Sequence, residues 1–178
     1  MASIYIHIPF CKQACHYCNF HFSTSLKNKQ AIVDSISQEL SLKSNGFSEI
    51  IDSIYFGGGT PSLLEINDFE ILLSKIHKKY SISDSVEITV ECNPDDIYEN
   101  KLIELKKMSI NRLSIGVQSF VDEELKLMNR SHDSKIALES ISKSKNLFEN
   151  ISIDLMYGLP NSNFKNWEFN LNTIDQFN

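Results

Sequence analysis

The chain has 178 residues, 42% hydrophobic and 22% charged, with a formal net charge of −6, which allows one domain with a core of its own. No run of Lys and Arg stands out, which argues against a nucleic-acid backbone or an anionic membrane surface as partner. No apolar run approaches the ~20 residues that span a bilayer, and no basic segment followed by an apolar one marks an export signal, so the expected address is cytoplasmic.

In chain order, the first expected strand is 4–9. Ile4, Ile6 and Ile8 share one of its faces and Tyr5 and His7 the other. The stretch CKQACHYC follows at once, putting Cys11, Cys15 and Cys18 within eight positions. A helix is expected over 29–40, with Ile32, Val33, Ile36 and Leu40 on one side. A strand over 53–56 leads into Gly57-Gly58-Gly59-Thr60-Pro61. The next helix, 68–80, opens with Asn67 and Glu70 at capping-box spacing. Then come a strand at 86–92, a helix at 99–108, a strand at 112–118, a helix at 134–148, a strand at 151–156 and a helix at 165–174. Strands alternating with helices of this length predict βαβ units and a parallel sheet.

Parallel strands covered on both faces read as continuous apolar runs. These alternate instead. Ile88 and Val90 oppose Glu87, Thr89 and Glu91; Leu113, Ile115 and Val117 oppose Ser114, Gly116 and Gln118; Ile151, Ile153 and Leu155 oppose Ser152 and Asp154. One face is expected to pack on helices and the other to point polar groups into a shared ligand cavity, at the C-terminal strand ends.

Three thiols in a reducing compartment favour a soft metal. The spacing alone leaves two readings open. Zinc needs a fourth ligand, for which His16 and His21 are candidates. A four-iron cluster held by three cysteines keeps one iron open for a small molecule. The glycine triplet is either a tight turn or a place for close ligand approach; no GKS or GKT follows, so it is not a phosphate loop. Glu91 offers acceptors to hydroxyls or an ammonium, Gln118 offers both donor and acceptor, and Arg130 can neutralise a carboxylate bidentately. Asp154 points inward and needs a partner, a ligand or Arg130. Cys92 falls on the helix-facing side as a small buried hydrophobe. Trp167 and the phenylalanines are expected in the core, and His16, His77 and His132 on surfaces or loops.

Together with Tyr17 between Cys15 and Cys18, the segments YIHIPFC, YFGGGTPS, RLSIGVQSF and IDLMYGLP, in this order, resemble the radical S-adenosylmethionine (SAM) superfamily. The resembled branch contains oxygen-independent coproporphyrinogen III oxidase and related heme chaperones. The resemblance implies a partial (βα) barrel, a [4Fe–4S] cluster on Cys11, Cys15 and Cys18, and reductive cleavage of SAM. It implies a SAM site lined by Tyr5, Tyr17, Gly58, Gly59, Thr60, Glu91, Gln118, Arg130 and Asp154, the glycine loop meeting the methionine part. It also implies heme or another porphyrin-type ligand and an electron-donor protein as partners. The decarboxylating oxidase has a further cysteine two positions after the third cluster ligand. Phe20 stands there in this chain, favouring the chaperones. Five strand candidates against the family's six lead to the expectation that residues 1–178 are the N-terminal part of the radical SAM core, a fragment or truncated product whose C-terminal domain is absent.

Overall fold

The computed structural model describes residues 2–177. Its elements are β1 (Ala2–Ile8), α1 (Lys29–Lys43), β2 (Ile51–Gly58), α2 (Ile66–Lys79), β3 (Ile82–Cys92), α3 (Glu99–Lys107), β4 (Arg112–Gln118), α4 (Asp122–Leu127), α5 (Ser134–Lys145), β5 (Asn150–Leu155) and α6 (Phe164–Asp175). Single 3₁₀ turns occupy Leu26–Asn28, Pro61–Leu63 and Pro94–Asp96. The strands form one parallel sheet in the order β1-β2-β3-β4-β5. Each is followed by helix, giving the five βα units that the alternation predicts.

The strand pattern divides the sheet as expected. Ile6, Ile8, Ile54, Phe56, Ile88, Val90, Leu113, Ile115 and Val117 are buried, as are Val33, Phe69, Leu72, Ile76, Leu102, Leu105 and Ile141 from the helices. At about 1.5–3 kcal/mol per buried aliphatic or aromatic side chain, a one-residue register slip would forfeit this whole face. The opposite face carries a polar ladder. Ser53 Oγ donates to Ser3 Oγ (2.7 Å), Arg112 reaches Thr89 and Ser152, and Ser152 Oγ donates to Ser114 Oγ (3.2 Å).

Three local expectations are corrected. The strands β2 and β3 begin earlier than expected, at Ile51 and Ile82. The short helix α4 was not foreseen. The capping box on α2 is built by Glu65 and Asp68, not by Asn67 and Glu70: Asp68 Oδ2 accepts from Glu65 N at 3.0 Å. Ile66 already lies in the helix, so Asn67 is past the capping position. No helix among the described residues is long and apolar enough to cross a membrane.

Candidate cluster and nucleotide site

The cysteine loop leaves β1 at the C-terminal edge of the sheet. Its base is closed by Ser23 N donating to Pro9 O (2.8 Å) and Cys11 N donating to Ser23 O (3.1 Å). Inside it, Cys18 N donates to Cys15 O (3.1 Å). Two sets of contacts hold the loop from outside. Lys12 Nζ pairs with Asp95 Oδ2 at 2.8 Å and also with Asp96, in the turn after β3. The corner after α4 supplies the rest: His16 N donates to Met128 O (3.0 Å), His16 Nδ1–H to Leu127 O (2.9 Å), Asn129 Nδ2 to Ala14 O (2.8 Å) and Gln13 Nε2 to Asn129 Oδ1 (2.6 Å). Asn129 takes φ +58°, a left-handed conformation that asparagine tolerates better than most residues.

The glycine turn is stitched to the same loop. Gly59 N donates to Ile8 O (2.9 Å) and Thr60 N to Phe10 O (2.7 Å). A Cβ on Gly59 would lie 2.7 Å from Phe10 O and 3.0 Å from Cys11 Sγ; only glycine fits there. Gly58 adopts φ +114°, and a Cβ on it would meet the His7 ring at 2.7 Å.

One cavity gathers most of the residues singled out from sequence. Cys11, Cys15, Cys18, Tyr17, Gly58, Gly59, Thr60, Glu91, Gln118, Arg130 and Asp154 all line it. Tyr5 does not. It is 58% exposed, its hydroxyl bonds His7 Nδ1 (3.2 Å), and its ring stacks on Tyr55 with centroids 6.0 Å apart. Tyr55 in turn donates to Glu91 Oε1 at 2.7 Å, and Gly58 N to Glu91 Oε2 at 3.1 Å. Burial raises the Glu91 carboxyl above the usual range, and these two donors offset part of that rise. The Tyr55 phenol is pushed up to about 12, first by burial and then by the bond to Glu91.

Gln118 closes β4 with φ +72°, where the β4–β5 register shifts between Gly116 and Gln118. One expectation about charge is corrected. Asp154 is exposed on the open side of the cavity, not buried. Desolvation raises its carboxyl, and the opposing charge is that of Arg112, not Arg130. Arg130 forms no pair with a carboxylate among the described residues. Its Nη2 donates to Asn93 Oδ1 (2.8 Å) and Gly116 O (2.6 Å), and its Nη1 to Cys15 Sγ (3.4 Å) and Tyr17 Oη (3.3 Å).

The donor chemistry fits an iron–sulfur cluster. Three half-buried thiols face one cavity. Burial raises the Cys11 thiol; a bond with Thr60 and the Arg130 charge lower it, while the charges of Cys18 and Cys15 raise it further. A cation bound between the three would relieve that repulsion. The zinc alternative asks for donors that converge on one ion. Among the described residues no three of His, Cys, Asp and Glu are placed to hold one metal ion, the three cysteines included. His16 is turned to the Leu127 carbonyl, and neither it nor His21 lines the cavity.

Sequence reading placed Ser114 on the polar face but missed Asn93, Phe20 and Phe22 as cavity walls, and Tyr55 as the support of Glu91. Tyr55 and Ser114 share the polar strand face, a usable signal; Asn93 follows β3 and carried none. His132, expected on a surface or loop, lies in the loop before α5 but is only 5% exposed, its Nε2 bonded to Val117 O (3.1 Å). Trp167 is only partly buried, tilted against Tyr157 at 5.9 Å, while Phe20, Phe47, Phe164 and Phe169 are exposed. Cys92 is buried as expected, its thiol pushed up to about 12 by desolvation.

Against known families, the model of the Radical SAM superfamily matches residues 5–173. The chain belongs to the radical SAM superfamily. Within it, the chain is similar to the branch of heme chaperones and coproporphyrinogen III oxidase. The heme chaperone HemW of Buchnera aphidicola subsp. Acyrthosiphon pisum is 40% identical over 164 residues, 89% of this chain and 43% of that protein. HemW of Bacillus subtilis is 38% identical over 97% of this chain and 47% of its own length. The radical SAM enzyme coproporphyrinogen III oxidase (HemN) from Escherichia coli superposes with a TM-score of 0.91 at 29% identity, covering 99% of this chain and 42% of that one. The partial radical SAM barrel is therefore the fold. The chain spans about half the length of these curated relatives.

Proposed function

We propose that this radical SAM chain holds a [4Fe–4S] cluster on Cys11, Cys15 and Cys18 and binds SAM beside it, in a protein that binds heme and passes it to an acceptor. The observation that carries the reading is that the three thiols and the Gly58–Thr60 turn line one cavity. When bound, the reduced cluster would supply the electron that cleaves SAM. The chain's own part is to bind and orient. Backbone groups of Gly58 and Gly59 with Thr60 take the amino-acid end of SAM. Glu91, fixed by Tyr55 and Gly58, accepts from ribose hydroxyls or the ammonium. Gln118, Tyr17 and Asp154 complete the walls, with Tyr5 supporting from behind through Tyr55.

The chaperone reading is supported by the heme chaperones among the relatives and by Phe20. That side chain is 74% exposed on the cavity wall and stands where the resembled oxidase carries a cysteine. A second reading, oxidative decarboxylation of coproporphyrinogen III, draws on the likeness to the Escherichia coli oxidase. Anaerobic reconstitution with iron and sulfide, followed by absorbance and EPR with and without SAM, tests the cofactors. A four-iron signal perturbed by SAM is expected; one stoichiometric zinc in colourless protein would refute the reading. Titration with heme, and separately turnover of coproporphyrinogen III, then distinguishes chaperone from oxidase.

A further inference from the structure

Gln118 stands in the cavity wall with φ +72°. A non-glycine residue keeps a left-handed backbone only where its surroundings over-determine it. The groups around Gln118 lead to one carboxylate outside the cavity lining, Glu124 of α4, which is only 4% exposed. Ser119, next to Gln118 in the chain, donates its hydroxyl to Glu124 Oε2 at 2.6 Å. Ser162 Oγ, in the loop after β5, and Asn166 Nδ2, in α6, donate to Oε1 at 2.5 Å and 2.9 Å. Asn170 Nδ2 reaches Oε2 at 3.5 Å, while Asn170 Oδ1 accepts from Phe120 N at 2.7 Å. The start of the same loop returns to Gln118, whose carbonyl accepts from Met156 N at 2.8 Å. Every donor on Glu124 is a hydroxyl or an amide. Burial works against its charge, but these donors outweigh it and lower the carboxyl below its ordinary range. A carboxylate that accepts from several segments at once fixes their relative positions, because moving any one of them leaves a buried charge short of a donor.

Resting on the SAM reading above, we propose that Glu124 is a positioning residue for that site: through Ser119 and the loop after β5 it holds Gln118 in its left-handed conformation on the cavity wall. Glu124 touches no ligand itself. Its contribution is that Gln118 meets SAM already oriented.

The test compares the wild-type chain with E124Q, which keeps the shape of the side chain but turns an NH₂ group towards groups that donate. In the cofactor-free chain, the Phe120 and Met156 amides should exchange hydrogen about tenfold faster in E124Q. After anaerobic reconstitution, cluster content and the EPR signal without SAM should match wild type, while the SAM dissociation constant rises about tenfold. In a Q118A background the same change should move that constant little, because Glu124 acts through Gln118. Unchanged exchange at both amides overturns the inference. So does an unchanged SAM constant in cluster-loaded E124Q, which would leave Glu124 a role in stability alone, and so do E124Q and Q118A effects that simply multiply. If E124Q does not fold, Ser119→Ala decides, because it removes the link next to Gln118: a higher SAM constant at unchanged cluster content supports the inference, and an unchanged one overturns it. Failure of the wild-type chain to form a four-iron cluster or to bind SAM refutes the cofactor reading instead, and amide exchange of the cofactor-free chain then decides whether Glu124 holds Gln118.

Discussion

His132 offers a test of the packing around the site that needs no cofactor. It is buried behind Arg130, with Nε2 bonded to Val117 O and Nδ1 lacking a partner among the described residues. Desolvation first, and then the Arg130 charge, lower its pKa from 6.5 to about 4; the Val117 bond, Asp95 and Asp133 oppose that shift only in part. Below pH 6.5 the unfolded chain takes up a proton that the folded chain refuses until about pH 4, so stability falls as pH falls through that window. At ~1.36 kcal/mol per pH unit, the full effect is on the order of 3 kcal/mol. About 2 kcal/mol of it should be lost between pH 8 and pH 5. His132→Gln keeps an N–H for the Val117 carbonyl but does not titrate. Urea unfolding of both proteins at several pH values isolates the histidine, because the carboxylates are common to both. The wild-type curve should fall more steeply than the variant curve below pH 6.5. Parallel curves, or an NMR titration of His132 near 6.5, would refute the reasoning.

Gly59→Ala should fold yet lose most of its iron on reconstitution, since the new methyl meets Phe10 backbone at 2.7 Å and overpacking costs about 1–3 kcal/mol; circular dichroism and iron analysis check this. Glu91→Gln should weaken SAM binding to the reconstituted protein by about tenfold or more, as a charge-assisted acceptor is lost, and Tyr55→Phe should weaken it less; calorimetry reads both. Lys12→Met leaves Asp96 buried and without that cation, so thermal unfolding should show a loss on the order of 2 kcal/mol, and Asp96→Asn in the same background should restore part of it.

Alternation in the strands made the sheet and its polar face legible before any coordinates, because each pleat exposes every second side chain. The cysteine spacing and the glycine turn likewise pointed to one place. Other features depend on neighbours that pattern cannot see. Six residues are too few for α4 to display a helical period. Glu65 is an uncommon cap, and Asn67 looked better by composition alone. Arg130 takes Asn93 and Gly116 as partners, both distant from it in sequence. His132 becomes interior only when the corner after α4 folds over Val117.

The ties around the cysteine loop have a consequence for how iron enters. Lys12 on one flank and the Leu127–Asn129 corner on the other hold the loop through bonds in which no metal takes part. Ordering a free segment costs about 1–2 kcal/mol per residue; here protein–protein bonds offset part of that cost. Small zinc domains collapse when stripped of their ion. This receptacle would instead keep its shape when emptied by oxygen and accept a replacement, so cluster loss becomes a matter of refilling and not of refolding.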